Sequence, residues 1–288
     1  MASLKRLYFH FFMLVYMLYA FFNKGIAYSY LTEVTLVLGI LLILWNIRSY
    51  QFAWDKRMAL LVIFMALSVL YIFRGIAAGY PVMEVIRDSV IFNYILFAFI
   101  VYFFREELPW LKQRLFTIYK WFPAVMCCLF LLSSYIPFLR DLEVFGGQRL
   151  FLYKFGDMGV HLFIASIFLL NGNIVLSRRY FILQWVLIIY LFLIVFSYSR
   201  SGGVSYMAAM GVFLVYTKNH ALRKQVFGWL KFAPLFIILA LPLYLSTHLE
   251  ENFQGRTLSL QQLQQNAVSI FSSADDGTTL SDNKVWRL

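Results

Sequence analysis

The sequence predicts an all-α fold: a polytopic transmembrane helix bundle of about nine spans, with an amphipathic outer-face segment at its C-terminus. Three observations predict it. Of the 288 residues, 62% are hydrophobic, 20% aromatic and only 14% charged. The apolar residues come in runs that approach or exceed the ~17 residues a membrane-spanning helix needs, without the ~10-residue alternating segments of a barrel. The connectors between the runs alternate in character, one basic and the next acid-bearing.

The first run, within "MASLKRLYFHFFMLVYMLYAFF", follows a basic flank as a signal peptide would. Its apolar stretch is long and aromatic and no small-residue cleavage site follows, so it reads as a first membrane helix. Spans are expected at about 7–22, 31–47, 58–73, 88–104, 115–136, 157–176, 180–197, 201–217 and 226–246. These spans form a transmembrane domain over 1–246, and residues 247–288 form an outer segment. Lys5 and Arg6 and the linkers at 48–57, 105–114, 177–179 and 218–225 are rich in Lys and Arg. The positive-inside bias therefore places the amino terminus in the cytoplasm and the tail outside. The same bias accounts for the net charge of +11, which needs no nucleic acid to explain it. Cys127 and Cys128 are adjacent within one apolar run. Neighbours make a strained disulfide and no metal set, so they read as packing residues.

That orientation leaves Arg74, Arg87, Arg140, Arg149 and Arg200 on the outer side, where a cation buried in lipid costs several kcal/mol. Arg87 and Arg140 have Asp88 and Asp141 beside them. Arg200 has no carboxylate near it in sequence and sits in a turn between two tightly joined spans. It either snorkels to the headgroups or receives an anionic substrate. After it, Ser201, Ser205 and Ala209 recur every four residues, with Gly202, Gly203 and Gly211 beside them. This spacing predicts a close-packing face in the bundle interior. A helix that opens outward on an arginine and two glycines offers backbone N–H groups and a guanidinium to a phosphate.

A second outer stretch, "RDLEVFGGQRLFLYKFGDMGVHL", puts Arg149, Lys154, Asp157 and His161 near the mouth of one helix. Asp157 and His161 share a face four residues apart. They read as a base with its orienting carboxylate, a metal pair, or a satisfied polar pair inside the bundle. No HExxH, Walker, GxSxG, CxxC or Asp-rich motif occurs, so metallopeptidase, P-loop and serine-hydrolase chemistry have no support. In the tail, Leu260, Leu263, Ala267 and Phe271 fit one helical face with Gln residues opposite. That pattern predicts an amphipathic helix on the outer surface or over a cavity.

In order, the chain has a Gly-Arg outer loop feeding a helix ("GGQRLFLYKFGDMGVHL"), a pair of spans joined by "SYSRSGG", a small-residue helix, one more span, and an outer segment with "QGRT" and "VWRL". This order resembles the bacterial O-antigen ligase and O-antigen polymerase superfamily over roughly residues 140 to 288; the earlier part resembles it only as a string of spans. The resemblance implies a metal- and cofactor-independent glycosyltransferase of the cytoplasmic (inner) membrane. Such an enzyme moves a glycan from undecaprenyl pyrophosphate to an acceptor glycan or lipid at the outer face. By the resemblance, Arg200 and Arg149 would hold the pyrophosphate, with Arg256 a weaker match; Arg74 and Lys154 are further outer-side cations. The family's base is a histidine in a large outer loop. Here no histidine follows His248, which leaves His161, His248 and Asp157 as the candidates and predicts an incomplete enzyme. A transporter or flippase for lipid-linked or anionic solutes would use the same arginines without a base; a non-catalytic subunit of a polysaccharide assembly system is a third reading, told apart by whether the outer arginines converge on one cavity or scatter over the lipid face.

Overall fold

A computed structural model of the chain describes residues 2–21, 31–49, 56–82, 85, 94–140, 142–144, 148–149, 153–217, 220–247 and 258–271. Among these the protein is helical. The helices in order are α1 (Ala2–Phe21), α2 (Leu31–Trp45), α3 (Lys56–Ala77), α4 (Leu96–Phe103), α5 (Leu108–Tyr135) and the single turn α6 (Pro137–Arg140). They continue with α7 (Phe155–Leu170), α8 (Arg178–Tyr198), α9 (Arg200–Tyr216), α10 (His220–Leu230), α11 (Ala233–Ser246) and α12 (Leu260–Phe271). The one ladder among the described residues pairs β1 (Glu143–Val144) with β2 (Gln148–Arg149), antiparallel, Glu143 opposite Arg149. The sequence pattern gave no sign of it.

Three of these helical stretches are long and apolar enough to cross a membrane: Met58–Ala77, Arg105–Tyr135 and Arg178–Tyr198. A bent pair, Leu222–Gly228 with Ala233–Ser246, makes a fourth if it is one span. Helices Leu31–Trp45 and Phe155–Leu170 are apolar but shorter. At 1.5 Å per residue the 21 residues of α8 reach about 31 Å, a full hydrocarbon core, whereas the 16 of α7 reach about 24 Å. The stretch expected as one helix over 226–246 is broken at Lys231 and Phe232 and bends by 60°. Pro234 lies just after the break, and a proline is accommodated at the start of a helix because its missing N–H has no partner there.

The chain divides into two compact units, with boundaries inside α1 and α5. The first unit holds α1 as far as Met17, α2 to α4 and the start of α5. Its core is an aromatic cluster, with Phe104 edge-on to Tyr8 at 5.6 Å and to Phe9 at 5.9 Å. Gly39 lies against it, since a Cβ there would sit 2.6 Å from the Tyr8 hydroxyl oxygen. Two expected cytoplasmic segments meet in this unit. Arg6 pairs with Glu107 at 2.6 Å and Lys5 with Glu106 at 3.4 Å.

The second unit is built on α8, whose Ile188, Tyr190, Leu191, Ile194 and Val195 are fully buried. Helices α7, α9, α11 and α12 all pack on it. Helices α7 and α9 also pack on each other with their backbones in contact. A Cβ at Gly159 would collide with the Gly202 carbonyl, and one at Gly202 would lie 2.7 Å from the Phe155 carbonyl oxygen. The packing face of α9 is therefore Gly202 and Gly203, both buried, with Tyr206 bonded to Ser166 of α7. The expected face of Ser201, Ser205 and Ala209 is not the one used: both serines are exposed. The reason is steric. Serine every fourth residue permits close approach, but consecutive glycines permit closer approach, and the closer contact wins.

Candidate functional site

Arg200 is the first residue of α9, and the break that creates it is local. Ser199 is extended (φ −140°, ψ 99°), so α8 ends at Tyr198 and α9 begins two residues later. The Ser199 side chain caps the new helix by accepting from the Gly202 N–H at 3.1 Å. Ser201 Oγ lies 3.1 Å from Ser199 Oγ. The Arg200 side chain is half-buried and donates from Nη1 to Ser269 Oγ of α12 at 2.8 Å.

The glycine contacts fix what lies beside this turn. Gly156 of α7 abuts Ser199 and Gly202, Gly159 abuts Gly202, Ser166 meets Tyr206, and Met210, Phe213 and Leu214 pack on the cluster of Leu170, Leu222 and Val226. Residue number rises together along both helices, so α7 and α9 run parallel and their N-termini end side by side. Lys154 is the N-cap residue of α7. Two positive helix ends, one headed by Lys154 and one by Arg200, thus come together in one place. Lys154 pairs with Asp157 at 2.7 Å, and both side chains are about two-fifths exposed.

The other candidates are distributed differently. His161 is 1% exposed, with Nδ1 2.9 Å from the Tyr119 hydroxyl and the Phe122 ring 5.1 Å away. Its place is inside the bundle among aromatic rings; the hydrogen bond found there is to Tyr119, while Asp157 is engaged by Lys154. The backbone of Arg149 lies in β2, and its side chain is outside the described residues. His248 and Arg256 also fall outside them. Arg74 is exposed in the last turn of α3, in the first unit.

Sequence reasoning missed Asn266, which is fully buried and donates from Nδ2 to the carbonyls of Phe196 and Ser197 at 2.6 and 2.8 Å. The break at Ser199 leaves these α8 carbonyls without their in-helix partners. Helix α12 corrects the expectation about its faces. Gln262 and Asn266 are buried; of the expected apolar face Leu260 and Ala267 are exposed, Leu263 is half-buried, and the Phe271 side chain lies outside the described residues.

Comparison with known proteins gives no matching family model, no matching curated protein and no matching solved structure.

Proposed function

We propose that the chain is a nine-span membrane protein that binds the pyrophosphate of an undecaprenyl-pyrophosphate-linked glycan at the outer face of a bacterial cytoplasmic membrane. The bound glycan is handed to an acceptor glycan or lipid, as in the O-antigen ligase and polymerase superfamily that residues 140 to 288 resemble. One observation carries the reading: the parallel packing of α7 and α9 brings two helix N-termini, Lys154 and Arg200 to one end of the second unit. Two N-terminal dipoles and two cations suit a diphosphate. A lone snorkelling arginine needs neither the second helix end nor the serine that holds it.

The transfer needs no metal in this scheme. The acceptor hydroxyl attacks the anomeric carbon, the bond from that carbon to the phosphate oxygen breaks, and the pyrophosphate leaves on the lipid carrying the released charge. Guanidinium and ammonium groups at this end stabilise that charge as it develops. The hydroxyl proton goes to a base. Asp157, partly exposed beside Lys154, is placed for that role better than His161, which is enclosed by Tyr119 and Phe122.

The test is glycan transfer in membranes that contain the chain and receive undecaprenyl-pyrophosphate-linked glycan. With Asp157 as the base in place of the family's loop histidine, longer or transferred glycan is expected, falling by about a hundredfold or more in Arg200→Ala, the scale of losing one transition-state donor. Transfer that is unchanged in Arg200→Ala would end the proposal. Accumulation of the donor across the bilayer without transfer would move the protein to the transporter class.

A further inference from the structure

The tail helix α12 raises a physical question. Its sequence, LQQLQQNAVSIF, has an apolar face that burial should favour, yet the face turned to the second unit is Gln262, Asn266 and Ser269. What makes the polar side win is the α8–α9 break. Two carbonyls left unpaired at a packed helix end cost more than burying one leucine contributes, since each buried polar group without a partner forfeits its hydration with nothing in return. Asn266 serves both carbonyls from one amide nitrogen. The amide is itself oriented, because Gln262 Nε2 donates to Asn266 Oδ1 at 3.1 Å, which keeps the donor end toward α8. The start of the helix is tied as well: Ser259 Oγ accepts from the Gln262 N–H at 3.1 Å, and the Ser259 carbonyl accepts from the Tyr244 hydroxyl of α11 at 3.1 Å.

Three residues past Asn266, on the same face, Ser269 Oγ donates to the Asn266 carbonyl at 2.9 Å. A hydroxyl has one donor and two acceptor positions. With its proton committed to the helix, Ser269 presents lone pairs outward, and the Arg200 guanidinium donates to them at 2.8 Å. Arginine has a long side chain with much rotamer freedom to lose. Holding it from a second, anchored helix removes that freedom before any anion arrives, which is how preorganisation raises affinity.

We propose that Ser269 is a positioning residue for Arg200, and that Asn266 is the anchor that holds it in place by satisfying the carbonyls of the broken helix. The consequence for affinity rests on the pyrophosphate reading above; the orientation of Arg200 does not.

The experiment uses the full chain in lipid nanodiscs with three readouts. Hydrogen exchange over 260–271 reports docking of α12. Phenylglyoxal modification of Arg200, followed by peptide mass, reports how firmly the guanidinium is held. Binding of undecaprenyl pyrophosphate reports the site. In Ser269→Ala, exchange over 260–271 should stay as in the parent while Arg200 is modified about fivefold faster and the lipid is bound about fivefold more weakly, the worth of one hydrogen bond of ordinary strength. Ser269→Thr keeps the hydroxyl and should restore both. Asn266→Asp sets carboxylate oxygens against two carbonyl oxygens, so exchange, modification and dissociation should all rise together. If Ser269→Ala leaves the modification rate unchanged, the positioning role is wrong, whatever the lipid does. If it changes the rate while Arg200→Ala binds the lipid as well as the parent, the positioning role stands and the pyrophosphate reading fails.

Discussion

Helices α3 and α8 have 22 and 21 residues and both are apolar enough to cross a bilayer, yet 6% of the apolar window in α3 is buried and 50% of that in α8. Leu60, Ile63, Phe64, Leu70 and Phe73 of α3 are exposed, whereas Ile188, Leu191, Ile194 and Val195 of α8 are fully buried. Apolarity reports only that a helix can leave water. What gathers other helices around it is close backbone approach and polar bonding, because lipid tails attract a leucine as well as another leucine does. Helix α8 has both advantages. It is flanked by the glycine-bearing α7 and α9, and it carries Gln184, which bonds to the Lys120 carbonyl at 2.9 Å, and Ser197, whose hydroxyl lies 2.7 Å from that of Tyr244. The exposed face of α3 is all aliphatic and aromatic at the positions named.

The comparison can be broken most severely at the glycine contact. Gly202→Leu forces a branched side chain between α7 and α9, where a single Cβ already lies 2.7 Å from the Phe155 oxygen. A loss of about 3 kcal/mol or more is expected, the upper range for overpacking, and it reads as loss of a monodisperse, thermally cooperative species in detergent. Next comes a matched pair of truncations. Leu191→Ala in α8 should cost about 3 kcal/mol, the middle of the range for a buried leucine, while Ile63→Ala in α3 should stay within about 0.5 kcal/mol. Equal losses in thermal stability for the two would mean that α3 is packed against protein and that the contrast is false. The smallest effect is expected at Gly211, where an added Cβ meets nothing within 4 Å. Gly211→Ala should be neutral or stabilising by up to about 1 kcal/mol through helix propensity alone.

The parts of this architecture that were legible in the sequence are those that depend on composition and on the chain itself. The helical stretches follow from the apolar runs, and the stop between α8 and α9 is marked by Ser-Arg-Ser-Gly-Gly. The parts that were not legible depend on a third element. The orientation of α12 is set by carbonyls seventy residues away in α8, so its own hydrophobic pattern points the wrong way. His161 and Asp157 share a face, but α5 brings Tyr119 to the histidine and Lys154 takes the aspartate. On α9 the sequence shows Ser201, Ser205 and Ala209 at a four-residue period with Gly202 and Gly203 beside them, but which of these meets α7 depends on the closeness of backbone approach, which no period reveals. The Pro-adjacent break at Lys231 and Phe232 lay within a stretch long enough to be read as a single span.

The central claim is that the paired N-termini of α7 and α9, with Lys154 and Arg200, form a pyrophosphate seat. The most direct measurement is the dissociation constant of undecaprenyl pyrophosphate for the purified full chain in nanodiscs, compared across Arg200→Ala, Lys154→Ala and Arg74→Ala. The account predicts at least about tenfold weaker binding for Arg200→Ala, consistent with loss of a charge-assisted contact, a smaller loss for Lys154→Ala, and no change for Arg74→Ala. Equal affinity in the parent and Arg200→Ala, or a loss in Arg74→Ala as large as that in Arg200→Ala, would contradict it.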